Sequence, residues 1–167
     1  MACRAVCFAL TEADFNRLRA AKGKDEAVLE IAEEIDERCD EDWLCQLDKA
    51  WDGIHRVLTD GKLEWANGTY PLNHAILGGE QLHEGEDEII TLVTPAQAKD
   101  VAAALEIFTE SDKEAGYRRI NPHDYGVVPT QMSDDDREYV FAYLNDLTVF
   151  YRKAADAGRA VLFTVDQ

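Results

Sequence analysis

The sequence predicts an α+β fold: one compact domain over residues 1–167, with a small three-stranded mixed sheet and about six helices packed around it. Three observations carry this. Long stretches with apolar residues at helical spacing alternate with three short apolar runs. Two of those runs, 4–10 and 160–165, are apolar on both faces, so helices are expected on both sides of the sheet. No repeat, linker or low-complexity tract divides the 167 residues.

The elements follow in order. "RAVCFAL", 4–10, reads as a strand, with Val6, Phe8 and Leu10 on one face and the small Cys3, Ala5, Cys7 and Ala9 on the other. Thr11 is placed to cap a helix that carries Phe15 and Leu18 inward and stops at Gly23. A second helix, from about Asp25 to Arg38, turns Val28, Ile31, Ala32 and Ile35 to the core and a row of glutamates to solvent. Asp40, Glu41 and Asp42 put negative charge where a third helix would begin. Leu44, Leu47, Trp51, Ile54 and Leu58 then recur at threes and fours, which predicts some five helical turns ending at Gly61. Residues 61–88 are turn-rich, with "PLNHAILGG" as a short helix begun by Pro71. "EIITLV", 88–93, is the next strand. Thr94, Pro95 and Gln97 form the N-cap, first-turn proline and capping-box signature of the following helix. A short helix is expected over 111–119, and "NPHDYGVVP" reads as a loop. Ser133 and Asp136 open the longest helix, which runs to Gly158, and "AVLFTV", 160–165, is the last strand.

Charge restricts function more than any motif does. The chain has 34 acidic and 17 basic residues, a formal net charge of −17. Such a surface repels DNA, RNA and anionic lipid, and no local basic patch offsets it, so neither nucleic acid nor membrane is expected as a partner. The acids gather at 25–42, 80–88 and 134–138. They read as solvated helix faces, or as a field that steers a basic protein partner. No signal peptide and no membrane-length apolar stretch is read in the sequence, so the expected location is the cytoplasm. Cys3 and Cys7 would lie about 13 Å apart on a strand, too far for a disulfide with each other. With Cys39 and Cys45 they do not make the tight paired spacing of a zinc site. Reduced thiols, no metal and no cofactor are expected.

The residues that could carry chemistry lie in "DKAWDGIHRVLTDG", 48–61. On a continuous helix Asp48, Asp52, His55 and Thr59 form a polar stripe beside Trp51. A carboxylate one turn from an imidazole can orient it as a general base. The set Asp48, Trp51, Asp52, His55, Trp65 and His74 is therefore the candidate ligand-binding group, with Trp51 or Trp65 as a wall and Asp52 and His55 as the polar anchor. An architectural reading competes: His55 would satisfy a loop carbonyl, and Asp48 or Asp52 a backbone N–H of the 61–79 segment. Phosphate-loop, nucleophile-elbow and paired-cysteine motifs are missing from the sequence.

Four ordered segments carry a resemblance: "LDKAWDGIHRVLTDG", "PLNHAILGG", "LVTPAQAKDVAAAL" and "FYRKAADAGRAVLFTV". Together they resemble the YfbM-like family of bacterial proteins of unknown function, from about Leu47 to the end. The chain departs from that pattern at Asn73 and His74 and around 121–129, so His74 and His123 inherit no role. The resemblance implies a compact α+β fold and no activity. The functional expectation is a non-enzymatic, acidic cytoplasmic protein that binds a basic protein, as an immunity-type or regulatory module does. A small-ligand binder, or an enzyme using the Asp48, Asp52 and His55 stripe, is the alternative.

Overall fold

The computed structural model describes residues 5–83, 85–126 and 132–166. Its sheet has five strands in the order β2-β1-β5-β4-β3, formed by β1 (Ala5–Ala9), β2 (Leu44–Asp48), β3 (Glu80–Gln81), β4 (Glu88–Val93) and β5 (Val161–Asp166). Every neighbouring pair is antiparallel. The expected three-stranded mixed sheet is thus corrected to five antiparallel strands. The three apolar runs are its centre, and the two strands missed are its edges. An edge strand packs less apolar surface and reads weakly in sequence. In β3 both residues are exposed. Cys3 lies outside the described residues.

The seven α-helices among the described residues are α1 (Glu12–Ala21), α2 (Asp25–Arg38), α3 (Ala50–Leu58), α4 (Pro95–Glu106), α5 (Glu110–Arg118), α6 (Pro122–Tyr125) and α7 (Asp134–Asp156). The caps lie where their chemistry places them. Thr11, Thr94 and Ser133 each accept a hydrogen bond from the N–H three residues on, and Gln97 returns the bond to Thr94. "PLNHAILGG" supplies only a 3₁₀ turn, Leu72–His74. The expected loop at 121 holds the short α6, and residues 127–129 of that stretch lie outside the described residues.

The largest correction concerns the third helix. Residues 41–43 are a 3₁₀ turn and 44–48 are strand β2, so α3 begins only at Ala50. Leu44 and Leu47 match a helical period because they lie three apart. In the strand Cys45 and Leu47 point inward and Gln46 outward, a period of two. Asp48 breaks the path between them, with φ 47° in the left-handed region, which Asp tolerates better than most residues.

Helices cover both sheet faces. On one side Phe8, Leu10, Ile90, Leu92 and Leu162 pack with Phe15 and Leu18 of α1 and Val28, Ile31 and Ile35 of α2. On the other, Ala5, Cys7, Ala9, Ile89 and Phe163 pack under α3, α4, α5 and α7. The small face of β1 suits this second layer, where the fully buried Tyr151 and Ala154 of α7 belong to the same cluster. Cys7 and Cys45 are register partners on β1 and β2, both buried, while Cys39 is exposed. Burial raises both buried thiols above their ordinary range, Cys45 to about 12, so they stay protonated.

Candidate functional site

The stripe expected on one helix is divided among three environments. Asp48 is on the strand side of the break, and its carboxylate accepts from the Tyr139 hydroxyl of α7 at 2.6 Å. The same hydroxyl oxygen accepts from the Lys49 N–H at 3.2 Å. Asp48 therefore ties the β2–α3 junction to α7 and does not share a face with Asp52 and His55. The backbone break, which helical spacing could not reveal, is the reason.

Asp52 faces Arg56 rather than His55. The Arg56 Nε donates to Asp52 Oδ1 at 2.5 Å. Arg56 is itself buried, and it also donates to the carbonyls of Gly61 at 3.3 Å and Asp124 at 3.0 Å. A buried guanidinium needs a counter-charge, so Asp52 is occupied in neutralising it. Burial raises the Asp52 pKa, with Arg56 opposing that rise.

His55 is 1% exposed. Its Nε2 lies 2.9 Å from the Glu64 carbonyl and 2.9 Å from Asn67 Oδ1. Both partners are acceptors, because the Asn67 amide nitrogen already donates to Thr59 Oγ1, Asp60 Oδ1 and the Lys62 carbonyl. Nε2 therefore carries the proton. Burial lowers the His55 pKa against these hydrogen bonds. The ring staples loop 59–67 onto α3, and at 1% exposure it is closed off from a substrate.

His74 sits apart. Its ring is edge-on to Tyr70, with centroids 4.8 Å apart, and its Nδ1 lies 2.8 Å from Asn73 Oδ1. The Tyr70 hydroxyl donates to Asp100 at 2.6 Å.

The two tryptophans of the candidate set do meet. Trp51 and Trp65 line one cleft of about 550 Å³ with Leu63, Glu64, Leu77, Gln81, Gly85, Glu86 and Ile89. Trp51 is almost fully buried, packed 5.9 Å from Phe163 between ring centroids, whereas Trp65 is 38% exposed. His55 reaches this cleft only through the Glu64 carbonyl that it fixes. Glu64, Gln81 and Glu86 were missed by sequence reading. Their one signal was the alternation of Leu63, Glu64 and Trp65 in a turn-rich segment, and residues 81 and 86 come near only because β3 pairs with β4. Among the described residues two carboxylates and no basic residue line the cleft. Such a lining is chemically complementary to a cation with an apolar stem. Among the described residues no group of three or more His, Cys, Asp and Glu could hold a metal ion, and no helix is long and apolar enough to cross a membrane.

Five antiparallel strands layered between α1–α2 and the larger helical group, with an acidic aromatic cleft beside α3, define an α+β protein. The chain belongs to the family described as a domain of unknown function, DUF1877, whose model matches residues 1–164. In three dimensions it is similar to YfbM from Escherichia coli, a protein of unknown function. The TM-score is 0.70 at 17% identity, covering 99% of each chain. That likeness is one of fold. No curated protein matches the chain in sequence.

Proposed function

We propose that this protein is a non-enzymatic binding module that recognises a basic segment of another protein and takes one of its Lys or Arg side chains into the Trp51–Trp65 cleft. The lining of that cleft carries the reading: among the described residues, two indoles, two carboxylates and no basic residue. A long basic side chain has the matching form, an apolar stem ending in a cation, and an indole face adds cation–π attraction. The net charge of −17 extends the attraction beyond the cleft and speeds encounter with a basic partner. The occupied state of His55 and Asp52 favours this reading over general-base catalysis.

The test is titration of a short oligo-arginine peptide against the wild type and Trp65→Ala, at low and at physiological salt. The expected result is binding that weakens as salt rises and weakens at least about tenfold in Trp65→Ala, with an unchanged melting temperature. Equal binding by Trp65→Ala, or by the double variant Glu64→Gln/Glu86→Gln, would remove the cleft from the account and leave only diffuse charge.

A further inference from the structure

A second cavity, of about 360 Å³, opens at the opposite end of the sheet. The register fixes this separation. Ala9, in the lining of the second cavity, pairs with Val161 and through it aligns with Val93, whereas Ile89 of the cleft pairs with Val165 and aligns with Ala5. The floor is apolar and buried: Phe8, Leu10 and Ile35. The walls are Trp43, Arg159, Arg38, Asp14, Asp40 and Thr11.

Both wall acids are engaged. Asp14 accepts from Arg38 at 2.6 Å and from Thr11 at 3.1 Å, and lies 3.5 Å from Arg17. Asp40 accepts from the Asp42 N–H in the 3₁₀ turn. Arg159 differs. Its guanidinium carbon sits 3.6 Å from the Trp43 ring centroid, and its Nη1 donates to the Ala9 carbonyl at 3.2 Å. Among the described residues no carboxylate lies within ion-pair distance of it. Lys153 adds a second cation 4.5 Å from the same ring. In a chain with twice as many acids as bases, this corner brings Arg38, Lys153 and Arg159 to one half-buried indole. The stack and the carbonyl bond hold Arg159 in place and leave its remaining donors for a ligand.

We propose that this cavity binds a small organic monocarboxylate. Its carboxylate is held by Arg159, with Arg38 beside it, and its apolar body lies over Phe8, Leu10 and Ile35 against Trp43. A planar guanidinium matches a carboxylate through two parallel hydrogen bonds. The single charge follows from the setting. Asp14 and Asp40 repel a dianion, and the apolar floor offsets the repulsion only for a ligand with apolar surface to bury.

The probe is benzoate, followed by ¹H–¹⁵N spectra of the three tryptophan indoles at constant ionic strength, with Trp43→Phe assigning the signal. Benzoate is expected to shift the Trp43 indole saturably and leave Trp65 unmoved. Neutral benzamide is expected to leave it in place, and Arg159→Gln, which keeps a donor for the Ala9 carbonyl, to weaken the effect at least about tenfold. An unsaturated shift, an equal response to benzamide, tighter binding of inorganic phosphate, or undiminished binding in Arg159→Gln would each overturn the proposal. Should Arg159→Gln not fold, the benzoate and benzamide comparison in the wild type decides.

Discussion

Asp48 is decided by its backbone more than by its carboxylate. At φ 47° a residue with a Cβ is strained, and glycine is not. Its hydrogen bond with Tyr139 is lost in any apolar replacement. Asp48→Ala is therefore expected to be less stable than Asp48→Gly by about 1 kcal/mol, measured by urea unfolding. Equal losses would assign the whole role to the side chain. The buried histidines separate by sign. Burial lowers His83, but hydrogen bonds with Asp25 at 2.7 Å and Asp87 at 3.3 Å outweigh it, and its pKa is raised. Its stabilising contribution is complete below the unfolded value of about 6.5 and is lost as pH rises through the raised folded value. His55 is lowered, chiefly by burial. Its contribution holds above about 6.5 and is lost as pH falls through the lowered folded value. Ring-proton titration by NMR should place the His83 midpoint above that of His55, and the reverse order would contradict these two environments.

Helix α3 shows how an element acquires its place. Eight of its nine residues are buried, against α5, α7 and the sheet. Gly53 lets it approach that closely. A Cβ there would stand 2.6 Å from the Tyr125 hydroxyl and 2.7 Å from a Val140 methyl. Gly53→Ala is expected to cost about 1–3 kcal/mol by overpacking, although alanine favours helix, and chemical denaturation measures this. A neutral or stabilising result would mean that α6 and α7 yield easily. Strand β2 teaches the complementary point. Five residues that fit a helical period became an edge strand because β1 offered an unpaired side, and Ala5–Phe8 now pairs with Asp48–Leu44. Pairing with a partner about forty residues away overrode a local periodicity.

Over the whole molecule, charge and topology divide the labour. In the proposed function the acids attract a basic partner from a distance, and the cleft beside α3 supplies the local shape. The sheet keeps this cleft and the Trp43–Arg159 cavity at opposite ends, and the two proposed sites share no residue. Oligo-arginine and benzoate are accordingly expected to bind together with no competition, which a titration of one in saturating amounts of the other measures. Mutual exclusion would mean that both probes use one site.

By itself the sequence determined the α+β class, the three central strands, the helices α1, α2, α4, α5 and α7 with most of their caps, and the acidic character. These rest on local signals: a period of two or 3.6, a hydroxyl before a helix, a count of charges. Tertiary structure decided the two edge strands, the antiparallel order and the fate of the candidate residues. Trp51 and Trp65 line one cleft, but Asp48 went to Tyr139, Asp52 to Arg56, and His55 to Glu64 and Asn67. The physical reason is that a polar side chain takes the partner that burial leaves within reach. Spacing along the chain names the neighbours on one element, and only the packing of several elements names the partners across them.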